Sequence, residues 1–307
     1  MPRRRPHRLD LKVGWSCNNR CTFCVQGDKR DRFADRDTET LFELIEGGRP
    51  DARDLVLTGG EPTIRRDLAA LIHHARSVGY ERVQLQTNGR MLCNEARLDA
   101  LIDAGLTEVS PALHGPDPGV HDPLTRAPGS FKQTLRGIRN ARARGLPVVL
   151  NSVVVRGNVR ALPRMAELFV RLDLASFQFA FVHALGTAGD DIEGVMPRLS
   201  EAMPFLLRAL AIGRAAGVPC WTEAVPLCFL PGFETHASER RIPRTRIVDA
   251  DRVVPDYTLA RRAHGKAKGP ACECCALTAA CEGPWKEYPA TFGWEEFLPV
   301  VRPRARR

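Results

Sequence analysis

Three cysteines in the stretch WSCNNRCTFC, namely Cys17, Cys21 and Cys24, follow a short apolar run at the spacing C-x3-C-x2-C. Thiolates this close along a chain suit a metal centre. A [4Fe–4S] cube is normally held by four thiolates, so three local ligands either recruit a distant fourth or leave one iron open to a small molecule. Zinc would need a fourth protein ligand. Further on, the run DLVLTGGEP ends in Gly59, Gly60, Glu61 and Pro62. Glycines let a backbone approach a ligand closely, and Glu61 offers an acceptor for an ammonium group. Taken alone, Gly-Gly beside Pro is also an ordinary turn.

Elements that could position these residues alternate through the first two-thirds of the chain. Strands are expected at Leu9–Trp15, Asp54–Thr58, Arg82–Thr87, Glu108–Leu113, Pro147–Val155 and Ser176–Val182, each rich in Val, Leu or Phe. Between them lie helical patterns, such as Leu68, Leu71, Ile72 and Ala75 on one stripe. Asn94 stands as an N-cap before Leu98, Leu101 and Ile102, with Gly105 as the stop. Such alternation predicts an α/β fold with a parallel sheet.

The two motifs, in this order after successive strands, resemble the radical S-adenosylmethionine (radical SAM) superfamily, and Phe23 before the third cysteine is typical of it. The resemblance implies a partial (β/α)6 TIM-like barrel carrying a C-terminal cysteine-rich extension. It also implies a catalytic [4Fe–4S] cluster on Cys17, Cys21 and Cys24. The open iron would chelate S-adenosylmethionine, whose reductive cleavage releases a 5′-deoxyadenosyl radical that abstracts hydrogen from a substrate. Gly59, Gly60, Glu61 and Pro62 take the place of the family's methionine-binding motif. A reductant such as flavodoxin or ferredoxin is the implied redox partner.

Parallel barrels gather chemistry at the carboxyl ends of their strands. That rule nominates Thr87 and Asn88 after the third strand, Ser110 and His114 near the fourth, and Asn151 and Ser152 in the fifth. In relatives, polar residues at similar places touch the ribose, the carboxylate or the substrate, so Thr87, Asn88, Ser110 and Asn151 are expected to bind the cofactor. Thr-Asn-Gly at 87–89 is equally a good turn. His114, the candidate catalytic residue, either moves a proton beside the cofactor or orders the HGPDPG loop. Residues 114–158 also look like the branch containing molybdenum-cofactor, quinone-cofactor and peptide-maturing enzymes, which points to a peptide or protein substrate. The arginines at 136, 139, 142 and 144 read as a solvated helix face.

The alternation ends at Val218, dividing a core at 1–217 from an extension at 218–307. In the extension Cys272, Cys275 and Cys281 are spaced C-x2-C-x5-C, and with Cys228 they could close a second [4Fe–4S] cluster or bind zinc. Cys274 could replace Cys272 or Cys275. The segment resembles the SPASM and twitch extensions of radical SAM maturases, although the seven-cysteine SPASM set is absent, so one auxiliary cluster is expected rather than two. Cys93 and Cys220 read as buried thiols. The five aromatics of GPWKEYPATFGWEEFLPV are expected to pack the extension onto the barrel mouth.

At 307 residues and 44% hydrophobic, the chain can bury a large core. No apolar run approaches membrane-spanning length and no signal peptide is evident, so a cytoplasmic protein is expected. Clustered cysteines in a reducing compartment bind metal more often than they pair. Eight arginines near the ends, Arg3, Arg4, Arg5, Arg8, Arg302, Arg304, Arg306 and Arg307, supply all but one unit of the net +9 charge. Such ends are usually solvated, so nucleic acid is not the expected partner. Two rival readings are modification of RNA or of a cofactor precursor, and a non-catalytic iron–sulfur or zinc protein serving electron transfer or assembly.

Overall fold

The computed structural model describes residues 8–301. The six expected strands form at β1 (Arg8–Lys12), β2 (Asp54–Thr58), β3 (Arg82–Thr87), β4 (Glu108–Pro111), β5 (Val149–Val154) and β6 (Ser176–Phe181). Between them run α1 (Thr38–Gly48), α2 (Leu68–Ser77), α3 (Glu95–Asp103), α4 (Pro118–Thr125), α5 (Ser130–Ala143) and α6 (Leu162–Arg171). Two short helices, α7 (Thr187–Asp190) and α8 (Ile192–Val195), precede the long α9 (Leu199–Ala215).

Two parallel strands join these from beyond residue 217, where the alternation was expected to end. β7 (Cys220–Glu223) pairs with β6, and β8 (Thr245–Val248) pairs with β1 on its free side. Each has four residues and sits among prolines and arginines. A two-residue β9 (Val253–Val254) adds antiparallel to β8. Bridges Val109↔Val148 and Ala112↔Asn151 tie β4 to β5, so the row runs β8-β1-β2-β3-β4-β5-β6-β7. The seam between β7 and β8 carries no ladder among the described residues. Segments of the extension, including α10 (Tyr257–Ala260) and α11 (Glu287–Phe292), follow β9.

The strands alternate between two faces. Leu9, Leu11, Leu55, Leu57, Val83, Leu85, Leu150, Val154, Phe177 and Phe179 are buried against the helices. The other face carries Asp10, Lys12, Thr58, Gln84, Gln86, Ser110, Asn151 and Gln178. A parallel sheet buried on both faces reads as a continuous apolar run; this one has a polar lumen, and many of its lumen residues are only half-buried. Apolar helix stripes fall as expected, with Leu68, Leu71, Ile72 and Ala75 buried. Asn94 caps α3 by accepting the Arg97 N–H (3.0 Å).

On α5, Arg136 pairs with Glu95 and Arg142 with Asp173 at the surface, and Arg139 is exposed. Arg8 is a correction to the basic ends: it opens β1, half-buried, and its Nε donates to Thr245 Oγ1 (3.1 Å). The other seven terminal arginines lie outside the described residues. Trp285, Tyr288 and Phe297 are buried, with Trp285 stacked on His183 and Tyr288 against Phe181, so the late aromatics do pack the extension onto the end of β6. No helix among the described residues is long and apolar enough to cross a membrane.

Candidate active site

Cys17, Cys21 and Cys24 lie on the loop that leaves β1, each half-buried. Long-range contacts fix this loop from four sides. Asp35 accepts the N–H groups of Trp15 (2.6 Å) and Ser16 (3.0 Å) just ahead of Cys17. At the C-terminal end of α4, the carbonyls of Thr125 and Leu124 accept Arg20 N–H (2.9 Å) and Thr22 N–H (3.0 Å). Thr187 clamps the last turn: Cys24 N–H donates to its hydroxyl (2.9 Å), the hydroxyl donates to Cys21 O (3.0 Å), and its own N–H donates to Cys24 O (3.0 Å). The fourth side is the glycine motif.

Gly60 N–H donates to Gly14 O and Glu61 N–H to Ser16 O, both at 2.8 Å. This backbone contact leaves no room for side chains. A Cβ on Gly59 would stand 2.2 Å from Gly14 O, and one on Gly60 2.3 Å from Ser16 O. Gly59 also holds φ near +133°, which favours glycine. The close approach these glycines permit is therefore to the cysteine loop itself.

Glu61 faces inward, which changes its expected role. Its carboxylate is buried and accepts hydrogen bonds from Thr63 N–H (2.9 Å), the Thr63 hydroxyl, the Thr87 hydroxyl (2.6 Å) and Asn88 N–H (2.5 Å). It is a brace between the ends of β2 and β3. Burial pushes its carboxyl above the usual range while these donors pull it down. Pro62 is buried at the first position of the turn that Glu61 caps. Asn88 passes the brace on, its Nδ2 donating to Asn18 Oδ1 (2.6 Å), and Arg90 reaches Asn18 O and Asn19 Oδ1 (2.9 Å).

The remaining nominees separate by strand parity. Ser110 faces the lumen in register with Gln86. Asn151 also faces the lumen, where its Oδ1 receives a long contact from Gln178 Nε2 (3.5 Å). Ser152 points to the helices, fully buried and with no partner for its hydroxyl. His114 is buried edge-on to Phe23 (4.7 Å between ring centres), and its Nδ1 accepts Val153 N–H (3.2 Å). Its own N–H donates to Nδ1 of His121, another buried imidazole (3.0 Å). Burial lowers His114 to about 3 and His121 to about 4. A neutral imidazole with its Nδ1 engaged orders the loop; it does not carry a proton at neutral pH.

Both rings therefore resist protonation that the unfolded chain accepts near pH 6.5. With folded values depressed, stability is present above pH 6.5 and falls as acid protonates the unfolded state. Between pH 7 and 5 the expected loss is about 2 kcal/mol per histidine. Denaturant midpoints for wild type and for H114N/H121N check this; the double variant should show a correspondingly flatter acid limb.

Burial raises all three loop thiols, Cys21 to about 12 with the neighbouring Cys24 and Cys17 adding to it. A cationic metal relieves that cost. Backbone N–H groups already point at sulfur, as Asn19 N–H does at Cys17 Sγ (3.4 Å), an arrangement that also tunes clusters. This donor set fits an iron–sulfur cluster. Beside the loop opens a cleft of about 450 Å³ lined in part by Thr22, Leu124, Arg126, Val155, Gly157 and Thr187.

The second group of cysteines also converges. Cys228, Cys272, Cys275 and Cys281 surround one small cavity of about 20 Å³. Cys281 Sγ accepts the N–H groups of Leu227 and Gly283, and Cys275 Sγ that of Val300, each at 3.4 Å. Cys274 is exposed and does not line the cavity. Among the described residues no group of three or more His, Cys, Asp and Glu is arranged to hold a single metal ion. Cys220 is buried as expected, whereas Cys93 is only half-buried.

Comparison with known proteins gives the family. The family model described as the radical SAM superfamily matches residues 12–169, and the chain belongs to that superfamily, whose members are enzymes that use a [4Fe–4S] cluster and S-adenosylmethionine. The PqqA peptide cyclase of Bradyrhizobium diazoefficiens is 30% identical over 201 residues, covering 64% of this chain and 52% of the relative. A probable GTP 3′,8-cyclase of Methanopyrus kandleri is 30% identical over 200 residues, covering 64% and 62%. The chain thus spans between half and two-thirds of these relatives. Among solved structures, Streptococcus suis SuiB bound to its precursor peptide SuiA aligns with a TM-score of 0.70 at 14% identity, over 98% of this chain and 76% of that one. The anSMEcpe structure with bound AdoMet and the Cp18Cys peptide gives 0.65 at 15% identity, over 96% and 93%. These likenesses carry the fold.

Asp35 and Thr187 are site residues that sequence reading missed, because each acts on the cysteine loop across a gap in the chain. Replacing Thr187 by the isosteric valine removes the hydroxyl from two of the clamp's contacts. The expected cost is about 1–3 kcal/mol, seen as a lower unfolding midpoint and faster loss of iron to a chelator than in wild type.

Proposed function

We propose that the protein binds a [4Fe–4S] cluster on Cys17, Cys21 and Cys24 and uses it with S-adenosylmethionine to modify a peptide or protein. The observation that carries this reading is the backbone docking of the glycine motif onto the cysteine loop, at the carboxyl ends of adjacent strands. When bound, the cluster and S-adenosylmethionine supply a 5′-deoxyadenosyl radical for hydrogen abstraction; the chain's task is orientation and exclusion of side reactions. Gly59 and Gly60 hold the methionine end against the loop, while Glu61, Thr87 and Asn88 keep the two rims in register. Ser110 and Asn151 present polar groups to the lumen. The cleft beside Thr22 has the size of a small-ligand site and is assigned to the adenosyl end.

Cys228, Cys272, Cys275 and Cys281 are assigned to one auxiliary [4Fe–4S] cluster, which would accept an electron or bind substrate. A flavodoxin or ferredoxin would reduce the first cluster. The peptide substrate is supported by the PqqA peptide cyclase relative and by the fold shared with SuiB and anSMEcpe. The probable GTP 3′,8-cyclase relative supports a second reading, in which the substrate is a nucleotide.

The test is direct. Anaerobically reconstituted protein given dithionite and S-adenosylmethionine should form 5′-deoxyadenosine. Absence of that product from protein whose clusters are shown to be intact overturns the proposal in favour of a non-catalytic iron–sulfur protein.

A further inference from the structure

The carboxylate of Glu223 ends β7, on the rim that carries the cysteine loop, and no role above uses it. Parity fixes the direction of its side chain. Cys220 packs against α9, where a Cβ on Gly213 would meet its Sγ at 2.8 Å, and Thr222 is fully buried on the same face. Trp221 and Glu223 therefore face the lumen, and both are half-buried there. In the neighbouring strand Phe177, Phe179 and Phe181 pack against helices, which leaves Gln178 on the lumen side. Gln178 Nε2 donates to Glu223 Oε2 (2.9 Å) and makes the long contact with Asn151. Glu223 thus stands at the end of a polar row crossing β5, β6 and β7.

Most charged neighbours have their own partners, and Arg8, within range of the charge of Glu223, donates instead to Thr245 Oγ1 (3.1 Å). Glu239 faces Lys266 (3.5 Å), Glu282 holds Arg261 (2.7 Å) and Arg262 (2.8 Å), and Asp10 holds Lys12 (2.8 Å). Among the described residues, Glu223 has a neutral amide as its hydrogen-bond partner and joins no ion pair. A half-buried carboxylate is costly without a compensating charge. Burial, then the nearby Glu239, raise its carboxyl above the ordinary range against the pull of Lys266, Arg261 and the Gln178 hydrogen bond.

We propose that Glu223 is the substrate-recognition carboxylate of this site and pairs with a lysine or arginine side chain of the peptide. This rests on the peptide reading above. A nucleoside triphosphate would bring like charge to the same wall, so the assignment also separates the two readings of the substrate. Arginine and lysine differ in geometry, and either completes the missing pair.

The experiment is selection from a random peptide display library on the full, cluster-reconstituted chain with S-adenosylmethionine, using wild type, E223Q and E223K. The change in the cluster's EPR spectrum on adding S-adenosylmethionine reports whether each variant keeps its fold and first site. Wild type should enrich peptides with Lys or Arg at one fixed position. E223Q should lower that preference about tenfold, and E223K should favour Asp or Glu there. Enriched peptides with no basic preference, or with one unchanged in E223Q, overturn the role of Glu223 while leaving the peptide reading standing. If wild type enriches no peptide, the peptide reading fails and this proposal with it.

Discussion

Alanine at Cys17, Cys21 and Cys24 together abolishes formation of 5′-deoxyadenosine, and the purified variant retains about four irons per chain rather than about eight. The two halves of this expectation come from different parts of the molecule. Loss of product follows because the four thiols of the extension, Cys228, Cys272, Cys275 and Cys281, are gathered around their own cavity and not the β1 loop. Retention of iron is expected because those four thiols, with N–H donors already on Cys275 and Cys281, would supply a full ligand set for the proposed auxiliary cluster. Iron and zinc analysis beside the cleavage assay checks both. Stoichiometric zinc with no iron would overturn the auxiliary cluster and leave the first site untouched.

A single methyl group should do nearly as much damage at Gly60. Its Cβ would lie 2.3 Å from Ser16 O and 2.5 Å from Trp15 O, and these obstacles are backbone, which cannot rotate away. To admit it the glycine turn must lift off the cysteine loop, breaking the bonds from Gly60 N–H to Gly14 O and from Glu61 N–H to Ser16 O. Overpacking and lost hydrogen bonds together cost about 3 kcal/mol or more. The functional loss should exceed the stability loss, because the displaced segment is the one assigned to the methionine end of S-adenosylmethionine. Unfolding midpoints and S-adenosylmethionine binding, measured on G60A beside G47A, make the comparison. Gly47 has open space where its Cβ would go, so G47A should be close to wild type in both.

Local spacing made the cysteine loop legible, since C-x3-C-x2-C and GGEP are short motifs whose parts need no tertiary knowledge. β2 and β3 fall on the expected residues because Asp54–Thr58 and Arg82–Thr87 are bounded by clear breaks. β7 and β8 were missed because CWTE and TRIV are short mixed segments set among prolines and arginines, without the Val-, Leu- or Phe-rich run that marks the expected strands. The inward turn of Glu61 was hidden for another reason. Two of its partners, Thr87 and Asn88, come from the following strand end, and only the parallel register of β2 and β3 brings them together. Asp35 and Thr187 are similarly invisible, one on the far side of the loop and the other beyond β6. In β5 the letters NSVVV leave the phase open; burial of Leu150 and Val154 decides that Asn151, not Ser152, reaches the lumen.

Everything functional depends on an iron beside the β1 loop being open to S-adenosylmethionine. EPR of the reduced, anaerobically reconstituted protein, recorded before and after S-adenosylmethionine is added, measures that most directly. A changed spectrum in wild type, and none in the triple alanine variant, is the predicted result. An unchanged spectrum from protein with its full iron content would contradict the account.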